Sequence, residues 1–254
     1  MAPIAKAIIL AAGLGQRLPP ITNVVPKELS PVGRHPAIAW VVAEAVTSGC
    51  REIAVVISPG KGMIEEYLRT QCPGLTSKAC FTFLIQPEPL GLGHALSLAR
   101  DFCAGQPCAV LLPDDLIAAP RLPLLQMASV FEERGGAVFA ITEESAANAH
   151  RYGQLQLRQV GERVFKVEAI LPRTVSTGSG SVFLGVGRYL LAPTVLHYAA
   201  ILCERSPTGQ LDDSAIFQHM LNIGEPVHAV YPEGRRYDIS TSDGYMAAWN
   251  GFRR

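Results

Sequence analysis

Short apolar runs alternate with segments of helical periodicity through the first half of the chain, and this alternation restricts the fold more than any other feature. Ile8, Ile9 and Leu10 open the series. The stretch 36–49 follows, with Ile38, Val41, Val42, Ala45 and Val46 at helical spacing between a leading proline and a closing glycine. Residues 52–58 and 81–85 read as buried strands, with a helix over 61–69 between them. A helix beginning near Gly93, a strand at 108–112, a helix at 122–134 and a strand at 137–141 continue the pattern. Strands spaced by helices in this way predict right-handed crossovers and an α/β, doubly wound, mostly parallel sheet. After that the runs shorten, at 154–158, 163–168 and 182–186, which predicts antiparallel additions before closing helices at 194–203 and 212–222.

A chain of 254 residues can bury one large core, so a single domain is expected. Hydrophobic residues make up 48% and charged residues only 17%, which fits a sheet covered on both faces. Lys plus Arg and Asp plus Glu balance at 22 each. No global field therefore attracts a nucleic-acid polymer or an anionic membrane, and any anion site must be local. No apolar run reaches membrane-spanning length, and 8–12 is too short and too poorly flanked for a secretory signal, so a cytoplasmic location is expected. Six cysteines without a C-x-x-C pair are expected to be buried free thiols.

Ligands of doubly wound sheets bind beyond the carboxyl ends of the strands, which directs attention to the residues after Leu10, Ile85 and Leu112. After Leu10 come Ala11, Ala12, Gly13 and Gly15, with no large side chain to keep a ligand from the backbone. Lys6, Arg17 and Lys27 all precede the first acidic residue, Glu28, so the segment suits a polyanion such as a triphosphate. It is not a dinucleotide fingerprint, because Leu18 stands where the third glycine is needed, and it is not a P-loop, because Gly-Lys-Ser/Thr is absent. After Ile85 comes Gln86, whose carboxamide can offer a donor and an acceptor to a pyrimidine edge, with Gly91 five residues on. After Leu112 come Asp114 and Asp115; a carboxylate here can share Mg²⁺ with substrate phosphates. Taken singly, each stretch also fits a plain turn or loop, and Asp115 fits a cap.

Gly13-Leu14-Gly15-Gln16-Arg17 and, after a spacer, Pro26-Lys27-Glu28-Leu29 together resemble the signature of the sugar-phosphate nucleotidyltransferases. The ending is most similar to that of bacterial UDP-glucose pyrophosphorylases. The resemblance implies a Rossmann-like three-layer αβα fold with a mixed, mostly parallel sheet, its nucleotide half over about 1–142 and its sugar half over about 143–254. It implies an Mg²⁺-dependent uridylyltransferase that joins UTP to a sugar 1-phosphate, glucose 1-phosphate first among them; dTTP is the runner-up donor, and a nucleotide-binding homologue without turnover the third reading. Arg17 and Lys27 would be the catalytic cations, on the β and γ phosphates and near the α-phosphorus respectively. Ala12, Gly13, Gly15, Glu28, Gln86, Gly91 and Asp114 would hold the nucleotide, with Glu28 near the base. Asp114 and Asp238, the latter in Tyr237-Asp238-Ile239-Ser240, would be the metal ligands.

On the sugar side the resemblance thins. Gly153 of Tyr152-Gly153 and Glu168 would meet the sugar, but Ala169 replaces the lysine that grips the sugar phosphate in the family, with Lys166 and Arg173 as possible substitutes. Gly209 to Asp213 departs from the family's acidic segment, Gly187-Arg188-Tyr189 matches a structural one, and relatives imply a homo-oligomer, dimer or tetramer.

Overall fold

The computed structural model describes residues 4–15, 24–146, 154–171 and 180–252. In chain order these form β1 (Lys6–Leu10), a two-residue hairpin of β2 (Pro31–Val32) and β3 (His35–Pro36), α1 (Ala37–Thr47), β4 (Glu52–Ile57), α2 (Gly62–Gln71) and α3 (Pro73–Thr76). There follow β5 (Cys80–Ile85), α4 (Leu92–Leu98), α5 (Arg100–Cys103), β6 (Cys108–Leu111), β7 (Asp115–Ala118), α6 (Pro123–Arg134) and β8 (Ala137–Ser145). The chain closes with β9 (Gln154–Gly161), β10 (Val164–Leu171), β11 (Ser181–Leu191), α7 (Pro193–Arg205), α8 (Asp213–Asn222), β12 (Val227–Val230), β13 (Arg235–Asp238) and α9 (Ser242–Gly251).

Nine of the strands make one mixed sheet in the order β5-β4-β1-β6-β11-β8-β12-β10-β9. The first four are parallel, and the strands that follow are antiparallel to their neighbours except for the parallel pair of β12 and β8. From β1 the chain moves outward to β4 and β5, then returns to the other side of β1 as β6. A crevice opens at the carboxyl ends of the strands where the order reverses in this way. The central strands are apolar on both faces because helices cover both: Ala7 and Ile9 pack with α1, α2 and α6, while Ile8, Val56 and Val110 pack with α4, α7 and α8.

The expected antiparallel strand at 182–186 is longer than its pattern suggested. β11 runs on through Gly187, Arg188 and Tyr189, with an irregular register between Gly185 and Tyr189, and the two glycines hide its alternation. Arg188 is fully buried; it pairs with Glu44 of α1 at 2.9 Å and donates to the carbonyl oxygens of Leu112, Asp115 and Gly187. The structural role read for Gly187-Arg188-Tyr189 is borne out, and its purpose is to fix the loop that carries Asp114. The thiol expectation holds for Cys50, Cys72, Cys103 and Cys108, which are buried and free; Cys80, which opens the edge strand β5, is exposed, and Cys203 is half-buried.

His228 of β12 is buried with no hydrogen-bond partner at Nδ1, and burial, with Arg134 and Lys166 nearby, lowers its pKa. A histidine more reluctant to protonate when folded contributes stability that is present above its unfolded pKa, roughly 6.5, and is lost as pH falls through the folded value. The melting temperature should therefore drop on acidification from pH 7.5 to 5, and His228→Phe should flatten part of that drop. An unchanged slope in the variant would assign the drop to other groups.

Candidate active site

β1 ends at Leu10, and the chain turns through Ala11, Ala12 and Gly13 at the carboxyl end of the sheet. A 3₁₀ turn at Lys27–Leu29 lies over this end and delivers the Lys27 side chain next to Gly13. Its ammonium meets the Asp114 carboxylate, which follows β6, and both side chains are less than one-fifth exposed. Across from them, Gln86 leaves the end of β5 and Gly91 precedes α4. Ala12, Gly13, Lys27, Gln86, Gly91 and Asp114 line a single cavity of about 200 Å³, although 102 positions separate Ala12 from Asp114 in sequence. The three strand ends that the sequence pointed to do converge.

Backbone geometry explains the glycine at 91. Its φ is +97°, and a Cβ there would come within 2.5 Å of the Leu211 carbonyl oxygen. Leu211 accepts from the His94 backbone N–H at 3.2 Å and donates its own N–H to the Leu90 oxygen at 2.8 Å. The segment read as a departure on the sugar side thus holds the loop around Gly91. Nothing in its residue types signals this, because the contacts are made by backbone.

Five positions stand apart from their expected places. Glu28 is wholly buried and does not line the cavity; its carboxylate takes two hydrogen bonds from Lys61 at 2.8 and 2.9 Å. Lys61 also donates to the carbonyl oxygens of Ala11, at 2.8 Å, and Gly13, so the pair fastens the glycine turn from behind. Burial raises the Glu28 pKa and lowers that of Lys61, each opposed by the charge of the other. Glu168 is exposed and paired with Arg158 at 2.8 Å; it sits in a bulge of β10 between Val167 and Ala169, and Ile170 and Leu171 line the cleft instead. Lys166 is exposed and lines neither cavity, so among the described residues it is no substitute for the missing lysine. Lys6, counted with the phosphate cations from its sequence position, sits at the far end of β1 against Glu52 and the Phe102 oxygen. Gly15 adopts φ +70° beyond the cavity lining. Arg17, Gly153 and Arg173 lie outside the described residues.

Asp115 is a bridge and not a cap: its carboxylate accepts from the Gly187 N–H at 2.9 Å and from Arg236 at 2.6 and 3.2 Å. That bridge ties β13 to β7, where Asp238 is the register partner of Asp115 and the Ile239 N–H meets the Asp114 carbonyl at 2.9 Å. Asp114, in the turn just before β7, and Asp238, the last residue of β13, are consequently brought to the same end of the β7–β13 pair. Asp238 also accepts from Ser240 and lies 3.9 Å from Arg236. A second cavity of about 240 Å³ shares Leu92 and Leu112 with the first. Phe139, Ile170 and Phe217 make much of its wall apolar, and the Tyr189 hydroxyl donates to Asp213 at 2.9 Å.

A family profile described as nucleotidyl transferase matches residues 6–253. The chain belongs to the nucleotidyl transferase family. It is 32% identical to UTP–glucose-1-phosphate uridylyltransferase 2 of Staphylococcus saprophyticus, with 97% of this chain and 91% of that protein covered. It is 31% identical to the corresponding enzyme of Staphylococcus haemolyticus over the same shares. Among solved structures, a UDP-glucose pyrophosphorylase complexed with UDP-glucose superimposes with a TM-score of 0.87 at 26% identity, covering 98% of each chain. The UTP-bound enzyme from Acinetobacter baumannii gives 0.83 at 26% identity, over 98% of this chain and 93% of that one. The cavity between Gly13, Lys27, Gln86 and Asp114 sets glycine backbone beside one cation, one carboxamide and one carboxylate. Among the described residues, no helix is long and apolar enough to cross a membrane.

Proposed function

We propose that this nucleotidyl transferase joins UTP to a sugar 1-phosphate, with glucose 1-phosphate the preferred acceptor, and releases pyrophosphate. The observation that carries the reading is the meeting of Lys27, Gln86, Gly91 and Asp114 in one cavity at the switch point of the sheet. A phosphate oxygen of the sugar 1-phosphate attacks the α-phosphorus; the new P–O bond forms as the bond to the β-phosphate oxygen breaks. No protein nucleophile is needed, and the protein contributes alignment and charge. In this reading Gly13 brings backbone against the phosphates, Lys27 balances charge as it redistributes around the α-phosphorus, and Gln86 meets the base. Arg17 is assigned to the β and γ phosphates, and Gly153 to the sugar, on family resemblance. The second cavity would take the sugar, and cytoplasmic placement and a homo-oligomeric state complete the proposal.

Two hard oxygen donors, one in the turn before β7 and lining the cavity and the other ending the adjacent β13, fit a divalent cation that takes its remaining ligands from phosphate and water. Asp114 and Asp238 would hold Mg²⁺, which supplies neutralisation of the phosphate charge when bound. Asp114→Asn and Asp238→Asn should each reduce turnover by roughly 10²-fold or more, the scale of losing a charge-stabilising group, with little change in melting temperature. Mn²⁺ binding in the presence of UTP, read by paramagnetic relaxation, should weaken in both. Undiminished Mn²⁺ binding in Asp238→Asn would remove it from the site.

One observation favours a second reading. The described walls of the second cavity carry no Lys or Arg, and Glu168 points away from it. A homologue that binds UTP without turning it over would have this character. Mass spectrometry of products from UTP and a set of sugar 1-phosphates separates the two. A UDP-sugar with equimolar pyrophosphate supports the transferase; UTP binding by calorimetry without any product supports the alternative.

A further inference from the structure

Gln86 is 5% exposed, and its backbone N–H is anchored to the Ile57 oxygen at 2.8 Å, so its side chain has little room to reorient. The carboxamide Nε2 lies 3.1 Å from the Gly91 carbonyl oxygen and 2.9 Å from His94 Nδ1. A carbonyl oxygen can only accept, so the group facing Gly91 must be the NH₂ and not the amide oxygen. The second amide hydrogen then points at His94, and Nδ1 must be the bare nitrogen of a neutral imidazole carrying its proton on Nε2. Both N–H groups are thereby committed inside the protein. Oε1 is left as the atom of Gln86 available to a base, which narrows the donor-and-acceptor role expected from its sequence.

We propose that His94, from outside the cavity lining, fixes the Gln86 carboxamide as a pure acceptor and so selects bases with a ring N–H. The inference rests on the uridylyltransferase reading and deepens it. Uracil and thymine present N3–H and satisfy Oε1. Cytosine presents a bare N3, which would face the amide oxygen lone pair to lone pair. Discrimination of this kind is strong because the wrong base leaves buried polar groups unpaired. Removing the Nδ1 acceptor leaves one amide hydrogen buried without a partner and only the Gly91 contact to hold the carboxamide, so a rotated form that turns its NH₂ toward cytosine N3 becomes accessible. His94 is a positioning residue in this scheme; it acts through Gln86.

The test is the ratio of kcat/KM for UTP to that for CTP with one sugar 1-phosphate. His94→Leu should lower the ratio by about tenfold or more, the scale set by one mispaired hydrogen bond. His94→Asn, whose Oδ1 falls close to the position of Nδ1, should restore most of it. Equal losses of kcat/KM for both nucleotides, with the ratio unchanged, would overturn the proposal and leave His94 a structural residue. Long-range proton–nitrogen correlation on the wild-type protein gives a second check that needs no variant. The Nε2–H tautomer of His94 is expected, and the Nδ1–H tautomer would overturn the assignment. If wild type consumes no nucleotide with any acceptor, the uridylyltransferase reading fails, while the tautomer still decides the orientation of Gln86.

Discussion

Lys27→Ala is expected to lower kcat by roughly 10³-fold while weakening UTP binding far less, in line with the loss of a charge-stabilising group aimed at the reacting centre. Lys27 is the one cation among the described residues that line the cavity it shares with Gly13, Gln86 and Asp114. The 3₁₀ turn that begins at Lys27 itself and the Asp114 carboxylate on which its ammonium rests help to hold it there. In a low-dielectric cleft a fixed ammonium interacts far more strongly with displaced charge than one in water, and it needs no reorganisation during the reaction. In the proposed reading, binding of the ground-state triphosphate is shared with backbone N–H groups and with the base contacts, so Kd should move less than kcat. Single-turnover kinetics beside calorimetric UTP titration separates the two effects. A turnover number within a few-fold of wild type would take Lys27 out of the mechanism.

Lys61→Met is expected to cost about 3–5 kcal/mol of stability, the usual effect of stripping one partner from a buried ion pair. Glu28 is wholly inside the protein and Lys61 nearly so, and the carbonyl oxygens of Ala11 and Gly13 lose their donor in the same change. The pH dependence identifies the cause. Without Lys61 the pKa of Glu28, already raised by burial, has lost its main opposing charge. A carboxyl with a raised folded pKa is no burden below its unfolded value, and becomes one as pH rises through the folded value. The deficit of Lys61→Met should therefore shrink on acidification in urea denaturation, and Glu28→Met added to it should recover most of the loss at neutral pH. A single-variant loss below 1 kcal/mol, independent of pH, would contradict the assigned fastening role.

How much of this was visible in the chain follows from the range of the interactions. The strands and the glycine turn are written in local pattern; Gly13, Gln86 and Asp114 were legible because each follows a strand end, and Lys27 because it sits in the Pro26-Lys27-Glu28-Leu29 motif. Lys61 was not legible, since a lysine at the start of a helical run looks solvated and its partner Glu28 is 33 positions away. For the same reason the roles of Asp115 and His94 were missed: an acid after a strand and a histidine in a first helical turn have ordinary local uses. Glu168 is absent from the cleft lining because it sits in a bulge of β10, and bulges leave little trace in residue type.

The seam where Leu211 meets Gly91 and Gly93 limits how this chain can be recombined. At Gly93 a Cβ would lie 2.7 Å from the Leu211 Cγ, so the two glycines and the backbone around 211 are matched surfaces. The two halves also share one sheet, with β11 lying between β6 and β8. A chimera that takes its first 142 residues from this protein and the rest from a relative would cut through both arrangements. The useful unit of exchange is smaller: the loop around Gly91 grafted together with its backing segment around Leu211, and the wall of the second cavity varied on its own at Ile170 and Leu171.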